Sequence, residues 1–231
     1  MLKIDIITLF PDYFRMALET SITGRASREK LVEFRLINLR DFAVDRHGSV
    51  DDYPYGGGPG MVLRPEPLYD AVEHCKSTLQ PAPAAEKSRV VLLSARGEAH
   101  NQRRAEKYSL LEHIVLICGH YKDVDQRVAE NLVDEELRIG DYVLSGGEPA
   151  AAVVADSVVR LLPGALGDFD SAQGDSFSES LLGSPHYTRP REFRGYEVPE
   201  VLTSGNHEKI KIWREEQAQE TTRRYRPDLL E

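Results

Sequence analysis

The chain has 231 residues, enough for a proper hydrophobic core and for one large domain or one domain plus a small second one. Its formal net charge is -9, from 29 Lys and Arg against 38 Asp and Glu, which argues against a globally basic nucleic-acid binder but leaves local phosphate-binding patches open. Cys75 and Cys118 are the only cysteines, so neither a zinc pattern nor a disulfide framework is expected, and Cys118 in its apolar run reads as a small buried side chain. The opening MLKIDIITLFPDYF lacks the apolar core and cleavage site of a signal peptide, and no run is long enough to span a membrane. A soluble cytoplasmic protein is expected.

Residues 2–10, LKIDIITLF, read as a buried strand because β-branched residues dominate. Pro11 ends it, and Asp12 is placed to cap a helix running to about Ile22. Residues 32–37, VEFRLI, alternate as a second strand. From Leu39 to Leu63 periodicity stops, in a loop of unusual length centred on Gly56-Gly57-Gly58-Pro59-Gly60 and flanked by Asp51, Asp52, Tyr53 and Tyr55. Its backbone N–H groups suit a phosphate or nucleoside, although no Lys-Ser or Lys-Thr follows as in a Walker loop; the alternative is a flexible surface loop. Pro65 and Glu66 begin a helix ending near His74 or Cys75, and residues 80–87 form a polar connector.

Residues 89–93, RVVLL, and 113–117, HIVLI, are buried-strand candidates, the first ending at Ser94-Ala95-Arg96-Gly97 and the second at Cys118-Gly119. A helix from about Asn101 to Ser109 lies between them, and Asp125 or Gln126 opens another. Leu137 to Leu144 is a short apolar run broken by Gly140 and Asp141. Strands alternating with helices imply a largely parallel sheet covered on both faces. Glu148 to Leu162 is a nearly all-apolar helix that must be buried by the core, a partner subunit being a further surface open to it; Arg160 is its odd residue, and snorkelling outward is the plain alternative to a functional role. Glycines at the exits of two strands, Gly119 and the pair Gly146-Gly147, suggest a ligand crevice, with ordinary tight turns as the alternative.

Residues 164–184 hold four glycines, five serines and no Lys or Arg, the composition of a mobile linker. Ser204 and Gly205 lead into a helix from about His207 to Thr221 or Thr222, with Arg223, Arg224 and Arg226 at its basic end. The span from Arg189 to Glu231 balances nine Lys and Arg against nine acids, unlike the acidic part before it, which suits a small helical domain meeting a polyanion. The expected organisation is an α/β domain over 1–162, a flexible linker over 163–175 and a small helical domain over 176–231.

The pieces IDIITLFPDYF, DDYPYGGGPGMVLRPEP, LICGHY, RIGDYVLSGGEPA, LLPGALG, GDSF, SPHYTRP and GNHEKIKIWR follow one another over nearly the whole chain. Together they resemble the bacterial tRNA (guanine-N1)-methyltransferases, a family of the SPOUT type. The resemblance implies a parallel-sheet SPOUT domain with a C-terminal trefoil knot, a small helical tRNA-binding domain, and a homodimer whose active sites draw on both subunits. It also implies S-adenosylmethionine as methyl donor and the guanosine at position 37 of tRNA as acceptor. The donor site then comprises Leu93 and Ser94; Gly119 and Tyr121; Ile139, Gly140, Asp141, Tyr142, Val143 and Leu144; and Gly146 and Gly147. The aspartate of the DSF motif, Asp175, corresponds to the general base, and Arg160 before the LPG motif stabilises charge on the guanine oxygen. Capping of a helix at Ser176 is the structural alternative for Asp175. Magnesium is associated with the family, but no protein cage for it is evident here. The dinucleotide GxGxxG pattern is absent, against an open Rossmann methyltransferase.

One departure stands out. Where the family often has Arg-Tyr-Glu-Gly, this chain has His120, Tyr121, Lys122 and Asp123. Lys122 reverses a charge and removes any direct acidic contact at that position, while Gly119 and Tyr121 are kept.

Overall fold

The computed structural model describes residues 1–166, 176–177 and 181–230. The chain forms two compact units, Met1–Gly167 and Asp168–Glu231. Asp175 and most of the expected linker lie outside the described residues.

In the first unit a five-stranded parallel sheet is built from β1 (Leu2–Thr8), β2 (Val32–Asn38), β5 (Ser88–Ala99), β6 (His113–Cys118) and β7 (Glu135–Arg138), in the order β2-β1-β6-β5-β7. Two very short strands, β3 (Asp51–Asp52) and β4 (Val62–Leu63), form a separate antiparallel pair. The period of two along β1 divides the core. Ile4 and Ile6 pack on one face with Phe14, Leu116, Val154 and Val158, and Ile7 packs on the other with Leu68, Val72, Val90, Leu92 and Ile117. Helices α1 (Phe14–Glu19), α2 (Ser21–Arg28), α4 (Gln102–Ser109) and α6 (Glu148–Val159) serve the first face, while α3 (Pro65–Ser77) and α5 (Gln126–Asn131) serve the second. Burial on both faces explains the apolar run of β6, while β1 is buried as deeply but carries Asp5 within it.

Several elements differ from expectation. The helix expected from Asp12 to Ile22 is a 3-10 turn at Pro11–Tyr13 followed by two helices. Thr20 is extended and Ser21 takes φ 52°, which turns the chain between α1 and α2. The Thr20 hydroxyl donates to the Met16 carbonyl (2.6 Å) and Thr23 to that of Ala17 (2.8 Å), so the frayed end of α1 keeps its hydrogen bonds. Asp12 caps nothing and instead accepts from Arg15 at 3.2 Å. Strand β5 does not stop at Ser94: its pairing with β7 shifts register between Leu93 and Glu98 and then resumes. Gly97 is required in that bulge, because a Cβ there would stand 2.3 Å from the Glu136 carbonyl carbon. The apolar run after Leu137 is strand only to Arg138, and α6 ends at Val159, with Leu161 and Leu162 in tight turns. The long segment from Leu39 is not structureless, since it holds a 3-10 turn at Leu39–Phe42 and the β3–β4 pair.

The second unit contains a hairpin of β8 (Glu192–Phe193) and β9 (Tyr196–Glu197), a short α7 (Glu200–Thr203) and a long α8 (His207–Tyr225). The hairpin turns on Arg194 and Gly195, both at positive φ, as a two-residue loop of matching twist requires. Asn206 caps α8 by accepting from the Lys209 N–H (3.1 Å). Thr222, buried on α8, accepts from the Leu182 N–H (2.8 Å). The helix runs a turn beyond the expected Thr222.

Candidate active site

Strand β6 ends at Cys118, whose thiol is held well above its ordinary pKa by burial and then by the nearby Glu148 charge. The chain leaves through Gly119, and α6 begins beside it. The Gly147 N–H donates to the Gly119 carbonyl (2.9 Å), and His120 and Gly146 form an antiparallel bridge. A Cβ at Gly147 would lie 2.6 Å from Cys118 Cα, so the two segments are closer than any side chain permits.

Around this contact, at the carboxyl ends of β6 and β7 and at the bulge of β5, lies a cleft of about 150 Å³. Leu93, Ser94 and Ala95 form one wall, Gly119 to Asp123 another, and Arg138 to Gly140 with Tyr142 to Gly147 a third, with Leu137 and Ala150 at the base. The structure thus brings together Leu93, Ser94, Gly119, Tyr121, Ile139, Gly140, Tyr142, Val143, Leu144, Gly146 and Gly147. Asp141 is not in the lining: its exposed carboxylate accepts from Arg138 Nε (2.8 Å), and Arg138 also donates to the Gly97 carbonyl (2.6 Å). Asp141 therefore braces a wall of the cleft through the β5 bulge. Tyr142, Val143 and Leu144 are exposed, an open apolar surface on a short loop.

Arg160 is the C-cap of α6. At 1.5 Å per residue, the twelve positions from Glu148 put it roughly 18 Å along the helix from the cleft end. Arg160 is outside the cleft lining.

The glycine loop is tied to the same region. Lys122 N–H donates to the Met61 carbonyl (3.1 Å), Leu63 N–H to Asp123 (3.0 Å), and Asp125 N–H to Leu63 (2.9 Å). Gly56, Gly57, Gly58 and Gly60 all take positive φ, and the Lys122 stem covers Gly60. Asp123 is held by Arg96 at 3.2 Å.

Three contributors were not legible as site residues. Glu148 is 3 % exposed and accepts from the Thr8 hydroxyl (2.6 Å) and from His120 Nε2 (2.7 Å). The only signal in the sequence was a carboxylate opening an apolar helix, which reads as an ordinary helix start. A larger hollow of about 840 Å³ follows the β5–β7 edge, with Arg104 paired to Glu98 and Glu135 and Arg96 to Glu136 in its walls. Among the described residues no cluster of three or more His, Cys, Asp or Glu could hold a metal ion, so the donor set does not make a magnesium cage.

A crevice at the carboxyl ends of parallel strands, walled by glycine loops and aliphatic side chains, defines an α/β protein that binds a nucleoside-like ligand. The family model for the tRNA (guanine-1)-methyltransferase TrmD matches residues 2–231, and the chain belongs to that family. Curated relatives named tRNA (guanine-N(1)-)-methyltransferase include one from Brevibacillus brevis, 54% identical over 230 residues, and one from Anoxybacillus flavithermus, 52% identical over 230 residues. A third, from Bacillus cereus, is 51% identical; each alignment covers 100% of this chain and 92% of the relative.

Proposed function

We propose that the chain transfers the methyl group of S-adenosylmethionine to nitrogen 1 of the guanosine at position 37 of tRNA, in a homodimer whose active sites are shared between subunits. The observation that carries this reading is the cleft itself, where eleven residues expected at a donor site line one wall system. The residues fit the donor: Leu93, Ile139 and Leu144 offer aliphatic surface to a purine, and the backbone groups freed where β6 and β7 end meet its polar edge. S-adenosylmethionine supplies an electrophilic methyl group on a sulfonium that leaves as a neutral thioether.

Guanine nitrogen 1 carries a proton and is a poor nucleophile until that proton goes. Asp175 takes the proton as the carbon–nitrogen bond forms, and Arg160 stabilises the negative charge that gathers on oxygen 6. An ordinary aspartate, with a pKa of about 3.9, is a weak base at neutral pH. The distance of Arg160 from the cleft of its own chain favours a site completed by a second subunit.

The second unit suits the tRNA. A hollow of about 430 Å³ is lined by His186, Tyr187, Arg189, Arg191, Ile210 and Arg214 among others, with no acid in the lining. Those three arginines have no carboxylate partner among the described residues, whereas Arg35, Arg64, Arg96, Arg104, Arg127 and Arg138 of the first unit are paired. Unpaired guanidinium groups beside Tyr187, which meets Trp213 at 6.3 Å between centroids, suit phosphates and splayed bases. An acidic protein thus needs only a local basic surface to hold tRNA. Methylation of tRNA in vitro, with the modified nucleotide located by mass spectrometry, tests the whole reading. A methyl group on guanosine 37 is expected, and an unmodified guanosine 37 with competent donor overturns it.

A further inference from the structure

We propose that Glu148 is a positioning residue that fixes the cofactor loop through His120; the assignment rests on reading the cleft as the methyl-donor site. Glu148 touches no cleft-lining space itself. Its two oxygens divide their work: Oε1 accepts from Thr8 at the end of β1, and Oε2 accepts from His120 in the loop after β6. A carboxylate only accepts, so Nε2 of His120 carries the proton. The carboxylate stands in the first turn of α6, where the helix dipole favours it. Three elements therefore converge on one buried charge.

That convergence explains two otherwise unconnected facts. The pair occupies the side-chain space of Gly146: a Cβ there would lie 2.3 Å from the His120 ring and 2.5 Å from Glu148 Oε2, so a larger residue would have to push the pair apart. Tyr121 holds φ 61°, an uncommon conformation for a tyrosine that persists only when its surroundings dictate it. Its neighbours do so. His120 is anchored to Glu148 and its ring packs 5.1 Å from Phe10, while the Lys122 N–H is bound to Met61. Tyr121 is the residue pinned between two anchors, and it faces the cleft.

Isothermal titration of the full-length protein with S-adenosylmethionine, alongside thermal unfolding, tests this. Wild type binds the donor; Glu148→Ala and His120→Ala each weaken donor binding tenfold or more, and the double variant is no weaker than the worse single. His120→Gln, which keeps a donor for the carboxylate, recovers affinity to within threefold of wild type. Binding of tRNA to the donor-free protein changes by less than twofold. If Glu148→Ala does not fold, Glu148→Met, which keeps the volume but offers the pair neither acceptor, gives the same reading. Donor affinity within threefold of wild type in the alanine variants, or strictly additive losses in the double variant, overturns the proposal while leaving the cleft as donor site. No uptake by wild type overturns the cleft reading and this assignment with it.

Discussion

The Gly147 N–H donates to the Gly119 carbonyl, and the space a side chain would need at Gly147 is filled by the backbone of Cys118. The start of α6 and the exit of β6 are in main-chain contact, and the cleft opens on that seam. Gly147→Ala forces the two apart. Overpacking of this kind costs about 1–3 kcal/mol. A lower urea midpoint and donor affinity reduced tenfold or more are expected, and a variant with both unchanged would show that the seam does not shape the cleft.

Asp175→Ala is expected to slow methyl transfer by about 10²–10⁴-fold in single-turnover assays at saturating donor, the range for loss of a positioned base. Donor affinity stays as in wild type, because the lesion lies in proton removal. Arg160→Ala is expected to lower the same rate constant by about 10²–10³-fold, the usual effect of removing one oxyanion donor. A mixture of the two inactive variants regains activity if subunits exchange and the two groups serve one site from different chains; a mixture that stays dead would count against a shared site.

Arg189→Ala, Arg191→Ala and Arg214→Ala should each weaken tRNA binding and leave donor binding alone. The dependence of affinity on salt is the diagnostic readout. Each phosphate contact removed lowers the slope of log K against log salt by about 0.7–0.9. Unchanged slopes in all three variants would place the tRNA elsewhere on the chain.

Asp5 governs acid stability. It is fully buried in β1; burial alone would raise its pKa, but hydrogen bonds from His113 (2.9 Å) and from Arg35 outweigh that and hold it below the usual carboxylate range. A carboxylate with a depressed folded pKa contributes stability above its unfolded value, about 3.9, and loses it as pH falls through the folded one. Asp5→Asn breaks the pair with Arg35, at a cost of about 3–5 kcal/mol for a buried ion pair and toward the lower end because Arg35 is partly exposed. Urea titrations should show the full gap between wild type and variant above about pH 4 and a closing gap below it. A gap that persists undiminished at pH 2 would refute the assignment.

Where the sequence was informative, the physics is local. β1 and β6 are buried on both faces, and the caps at Asn101 and Asp125 begin helices where their side chains predict. The seam was half legible: a Cβ at Gly147 would meet the Cys118 backbone, so that glycine marks a close approach, whereas Gly119 has room for a side chain. What escaped is long-range or carried by backbone angle. The break between α1 and α2 lies in the φ of Ser21, which serine does not advertise. The hairpin at Glu192–Glu197 has strands of two residues, too short for alternation to register. Thr8 and Glu148 meet across 140 positions, and no spacing rule reaches that far. Asp141 has the right neighbours in sequence and yet is absent from the cleft lining, its carboxylate bonded to Arg138.

Strand β7 closes one side of the sheet with only four residues, EELR, two of them glutamates. An open strand margin is where a second chain would add itself in amyloid-like stacking, and a strand of four residues offers that recruit little to pair with. Sheet-to-sheet polymerisation therefore has little strand length to start from at the β7 margin, in the segment that leads into the wall of the cleft.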